Sequence, residues 1–144
     1  INRIDIKTGI IENYFQTVLE KPIIHSSSVV ITKTAFYEAG QFNTILSRGE
    51  DIDLWIRLAK KYIVVYSEAA TSNYLQNASN NSASKVFHPS KSIVYYFDFM
   101  STDSHFERQF YKKIIRRKIL SYLIKEKSPM YALLLLKKYK LNLL

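Results

Sequence analysis

The chain has 144 residues, 47% apolar and 23% charged, enough to close a hydrophobic core and too apolar for wholesale disorder. It has no cysteine, which excludes disulfides, thiolate zinc sites and cysteine nucleophiles; His25, His88 and His105 lie too far apart for a histidine metal motif. The net charge of +9 is uneven: residues 1–106 balance ten Lys/Arg with ten Asp/Glu, whereas residues 107–144 hold eleven Lys/Arg against two Glu, a patch suited to anionic partners.

The chain begins at Ile1 without initiator methionine, signal peptide or transit-like segment, as expected of an excised fragment. Apolar residues at 10, 11, 14, 15, 18 and 19 predict a helix over residues 10–19, stopped by Lys21-Pro22. Residues 23–31 are β-branched and serine-rich, which predicts a largely buried strand. Thr32 or Thr34 is expected to cap a brief helix closed by Gly40, followed by a loop over residues 41–48. Ser47 and Glu50 fit a capping box, with Ser47 as N-cap and Glu50 at the third helical position. Residues 50–62 then read as a helix with acids in its first turn and lysines in its last.

Residues 63–66 and 71–75 predict two short strands, and residues 77–84 a polar loop. The composition changes near residue 87. Beyond it, helices are predicted over residues 90–100, 105–125 and 129–139, with Ser90 or His88 near the first cap and Pro129 in the first turn of the last. The longest uninterrupted apolar run, residues 129–136, falls short of the roughly 20 residues a membrane span needs.

Taken alone, these features describe an α/β domain with a basic helical tail. The order of motifs says more. HSSSVVITKTAFYEAGQF (residues 25–42), a loop, and then RGEDIDLWIRLAKKY (residues 48–62) resemble the second half of the family 2 glycosyltransferase catalytic domain. The matching positions are Ser27, Ser28, Gly40, Phe42, Gly49, Glu50, Asp51, Leu54, Trp55, Arg57 and Leu58, within a stretch covering roughly residues 23–84.

The resemblance implies an α/β fold: residues 1–86 as a partial glycosyltransferase A-type domain with a short mixed sheet, and residues 87–144 as a mainly helical basic extension. It implies inverting transfer of a sugar from a nucleotide-diphosphate donor to a glycan or lipid-linked acceptor, in surface polysaccharide or glycoconjugate synthesis. The location implied is cytoplasmic, at the inner face of the cell membrane. The family's donor-binding half, with an Asp-x-Asp holding Mn²⁺ or Mg²⁺, has no counterpart before residue 23. This chain by itself is therefore expected to hold no cofactor and to be inactive.

An acceptor hydroxyl needs a carboxylate to take its proton, and the resemblance gives that role to Asp51. Glu50, Gly49 and Trp55 are the expected substrate-binding residues. First-turn acids also arise simply from capping and the helix dipole, and for Glu50 that reading is about as good. Trp55 and Leu58 read first as core, with Trp55 also placed to wall an acceptor cleft. Asp53 is expected to pair with Arg57 four residues on, a surface pair worth about 0.3–0.5 kcal/mol.

Asp51-Ile52-Asp53 mimics the metal motif, but residues two apart on a helix face away from each other. Tyr74 and the loop after it resemble the family's Tyr-Arg-x-His-x-x-Asn-x-Ser stretch, with Leu75 and Asn77 replacing its arginine and histidine and with Asn80 and Ser82 retained.

Two readings of the basic tail stand level: helices packing on protein with solvated lysines, or an anchor on an anionic membrane surface through residues 107–144. Nucleic acid ranks third, because no recognised binding motif is present. A non-catalytic docking module using this tail is the alternative to the enzyme. Homo-oligomers formed through exposed strand edges are a further expectation.

Overall fold

A computed structural model describes residues 8–73 and 85–140. The chain is mixed α/β and mostly helical, and it divides into two units: residues 1–43 with 51–81, and residues 44–50 with 82–144.

In the first unit, β1 (Gly9–Ile11) pairs antiparallel with β2 (Val64–Tyr66), with Ile10 opposite Val65. The sheet has these two strands among the described residues, antiparallel where a mixed sheet was expected. The predicted helix over residues 10–19 therefore starts late, because residues 9–11 spend their backbone groups on the ladder. Helix α1 (Tyr14–Glu20) begins where Asn13 caps it, its Oδ1 accepting from Gln16 N at 3.1 Å. Lys21 is extended, as the following proline dictates.

Residues 23–31 correct a second expectation. His25 and Val29 are extended, but Ser26–Ser28 winds into a 3-10 turn and Val30 is fully exposed. β-Branching favours extended backbone; a strand also needs a ladder partner, and a buried one needs cover. The brief helix predicted next is present as α2 (Lys33–Glu38), capped by Thr32 and followed by Gly40 at φ +86.

Helix α3 (Glu50–Lys61) matches its predicted span within a residue. The capping box does not form: α3 starts at Glu50, so Glu50 is its first residue, not its third. Ser47 N instead donates to Lys91 O at 2.8 Å. Leu54, Trp55 and Ile56 of α3 are buried, as are Tyr14, Phe15 and Ala35. Residues 71–73 form no strand, and the rest of that predicted strand, with the polar loop after it, lies outside the described residues.

The second unit is helical. Arg48 makes an isolated parallel bridge to Ser92, with Arg48 N donating to Lys91 O and Ile93 N to Arg48 O at 3.0 Å. That bridge removes the helix predicted over residues 90–100. Ile93 N–H is committed to Arg48 rather than to the carbonyl four residues back, and Ser92 is extended. Two 3-10 turns remain, Pro89–Lys91 and Ile93–Tyr95, the first capped by His88.

Helix α4 (His105–Leu120) is capped by Ser104 and passes into a π-turn over Ser121–Lys125, which together fill the span predicted for one helix. Helix α5 (Pro129–Tyr139) has its predicted bounds and folds back on α4 after a turn at Lys127, φ +48. The core is aromatic. Phe97 stacks on Tyr111 with centroids 4.3 Å apart, Tyr139 Oη donates to Val94 O at 2.6 Å, and Tyr122 Oη donates to Phe87 O at 2.8 Å. Buried hydroxyls with carbonyl partners cost little, and burial pushes both phenols well above their ordinary range. Among the described residues no helix is long and apolar enough to cross a membrane.

Candidate functional site

Asp51 lies in the first turn of α3 and is half-buried. A helix start leaves backbone N–H groups without intrahelical acceptors. One carboxylate oxygen answers that need, Oδ1 accepting from Ile52 N at 2.8 Å. The other, Oδ2, accepts from Ser26 Oγ at 2.9 Å. The phenol of Tyr14 is pushed up, first by burial and then by the nearby Asp51 charge. Ser26 was not among the residues the sequence singled out. Three consecutive serines mark the segment, and only the 3-10 turn decides which one reaches α3.

Arg57 ties a second segment to the same helix. Its guanidinium donates to Asp53 Oδ2 at 2.6 and 3.0 Å, to Gln41 O at 2.6 Å and to Ala39 O. The expected Asp53–Arg57 pair is present, but the arginine does more than a surface ion pair. It holds a turn in which Gly40 and Gln41 both have positive φ, a conformation that costs a non-glycine residue about 1 kcal/mol. Arg57→Lys keeps the charge and loses the fork, so it should cost about 1–2 kcal/mol in urea unfolding, against less than about 0.5 kcal/mol for Asp53→Asn. Equal costs for the two would return Arg57 to the role of a simple ion-pair partner.

Trp55 is buried on α3 and lines, with Leu58, a groove of about 610 Å³. Its other walls include Val29–Ile31 and the Ile63–Val65 strand region. A second, smaller groove runs along Ile10–Glu12 and Lys60–Val64. Asp51 lines neither groove.

At the rim of the first groove Glu38 Oε2 accepts from Tyr62 Oη at 2.6 Å and from Lys61 Nζ at 2.9 Å. The Tyr62 hydrogen bond, then Lys61, holds the Glu38 carboxyl below its ordinary 4.5, and Glu38 in turn holds Lys61 above its ordinary 10.5. A lowered carboxyl pKa gives stability present above about pH 4.5 and lost as pH falls through the folded value. A raised lysine pKa gives stability present below about pH 10.5 and lost as pH rises through its folded value. Glu38→Gln should therefore lower the melting temperature slightly at pH 7 and not at pH 3, with the difference shrinking in high salt. A pH-independent difference would exclude the ion pair as its cause.

Gly49 precedes α3 at φ +78, and a Cβ there would overlap Ile93 Cγ2 within the second unit. Glu50 is exposed. Asp51 and Asp53 do not fit a shared metal ion, since Ser26 engages one carboxylate and Arg57 the other. Among the described residues no group of three or more His, Cys, Asp or Glu is placed to hold one. Tyr74, Leu75, Asn77, Asn80 and Ser82 lie outside the described residues. No family model, curated protein or solved structure matches this chain.

Proposed function

We propose that this chain is the acceptor-side part of an inverting glycosyltransferase A-type catalytic domain, with Asp51 as general base. The acceptor oxygen bonds to the anomeric carbon as the bond to the nucleoside diphosphate breaks, and Asp51 takes the hydroxyl proton. Ser26 orients the carboxylate and is a positioning residue. Donor and metal binding are assigned to residues outside this chain.

The observation that carries the reading is the convergence of motif segments on α3. The serine run reaches Asp51 through Ser26, and the Gly40–Phe42 turn reaches the same helix through Arg57. Segments far apart in sequence, first grouped by resemblance, are joined by hydrogen bonds. The larger groove supports the partial-domain reading. It separates Val29–Ile31 from the β2 region, with Val30, Ile63 and Val65 exposed, the setting an additional strand would occupy.

A competing reading makes Asp51 scaffolding; its cap of Ile52 N and its absence from both grooves favour it. Asp51→Asn in the full-length protein separates the two. Loss of transfer with sugar-nucleotide binding retained supports the base, and undiminished turnover rejects it.

A further inference from the structure

The two acids of the basic C-terminal segment both turn inward. Glu107 is 3% exposed and accepts from the Thr102 and Tyr111 hydroxyls. Glu126 accepts from Lys118 Nζ at 2.6 Å and Ser121 Oγ at 2.7 Å, with both members of the ion pair largely covered. From His105 to Lys140 the exposed charge is therefore cationic.

Most of that charge is sorted along the helices, and two further exposed lysines, Lys125 and Lys127, flank the turn that joins them. Lys113, Arg116, Arg117, Leu120, Leu123 and Ile124 follow one another at helical spacing, so they share one face of α4 and its π-turn. The three aliphatic residues, all exposed, come last, nearest the turn into α5. On α5 the order reverses: Met130, Leu133 and Leu134 are exposed first, then Lys137 and Lys138. Because α5 folds back on α4, both apolar groups lie toward the closed end of the hairpin, and both basic groups lie behind them. Arg116 to Leu120, and Leu133 to Lys137, are each four residues, about 6 Å along a helix.

We propose that the closed end of the α4–α5 hairpin inserts into the surface of an anionic phospholipid bilayer, with Leu120, Leu123, Ile124 and Met130 at the acyl boundary, Arg116, Arg117 and Lys137 at the phosphates, and Lys125 and Lys127 reaching back to the phosphates along their aliphatic stems. Interfacial helices bury their apolar face about 5–10 Å deep, which the offset of about 6 Å between these aliphatic residues and the basic residues behind them matches. Nucleic acid would reward the basic residues and leave the exposed Leu120, Leu123, Ile124 and Met130 facing water. This inference does not depend on Asp51.

The test is co-sedimentation of the whole chain with vesicles of phosphatidylcholine alone and with about 30% phosphatidylserine added. Binding should be at least about tenfold tighter to the anionic vesicles and should fall steeply in about 0.5 M salt. Leu123→Ser with Ile124→Ser, and Arg117→Glu with Lys137→Glu, should each weaken it by about tenfold or more while leaving the circular dichroism unchanged. The chain has no cysteine, so Ile124→Cys carries a single environment-sensitive dye whose emission should shift blue only with anionic vesicles. No binding, equal binding to neutral vesicles, an unaffected serine variant or an unshifted dye would each overturn the proposal. Binding to RNA but not to vesicles would overturn it in favour of a polyanion site.

Discussion

Asp51→Asn, on the glycosyltransferase reading proposed above, should slow sugar transfer by about 10²–10⁴-fold in the full-length protein, the span a positioned general base contributes. Asparagine is nearly isosteric, and its carbonyl oxygen can still accept from Ile52 N or from Ser26 Oγ, the two bonds the aspartate makes now. The fold should therefore change by less than about 1 kcal/mol. What the amide cannot do is receive a proton. The loss should fall on kcat, with donor affinity unchanged. Ser26→Ala should give a smaller loss, because it frees the carboxylate to rotate without removing it. Asp53→Asn, whose carboxylate faces Arg57, should leave turnover intact. An Asp51→Asn enzyme that keeps its kcat would return Asp51 to a capping role.

Gly49→Ala should be the most damaging single-methyl change for stability, costing about 2–4 kcal/mol. Two terms add. The backbone there sits at φ +78, where an L side chain is strained, and the new methyl would overlap Ile93, which is itself buried. Gly40→Ala provides the control. Its φ is also positive, but its Cβ would meet only the far end of the Arg57 side chain at 3.4 Å. It should cost about 1 kcal/mol, the backbone term alone. Urea unfolding of both variants measures the difference, and similar values would show that the Ile93 contact relaxes freely.

Where local chemistry decides, the sequence was readable. Thr32, the acids and lysines of α3, and Pro129 place α2, α3 and α5 close to their observed bounds. Misreadings fall where a distant partner claims a backbone group. Ile10 and Ile11 fit a helical stripe equally well, and only pairing with residues 64–66 makes them a strand. Residues 90–100 lose their helix to Arg48, more than forty positions upstream. Ser47 looked like a cap because its residue type and spacing were right, yet its N–H serves Lys91.

The candidate site shows the same division. The place of Asp51 at a helix start follows from its neighbours in the chain, and the hydroxyl of Ser26, twenty-five residues away, does not. The tail's charge could be counted from sequence, but the inward turn of Glu107 and Glu126 could not.

The threading of Arg48 through the bridge to Ser92 has a consequence for synthesis and for dissection of the protein. The chain enters the second unit at residue 44, leaves at 51 to build most of α3 and β2, and returns at 82. No single peptide-bond cleavage can release either part with all its own residues. On the ribosome, the seven-residue stretch that opens the second part emerges long before residues 91–93 exist to pair with it, so that part closes only after the whole of α3 and β2 has been made.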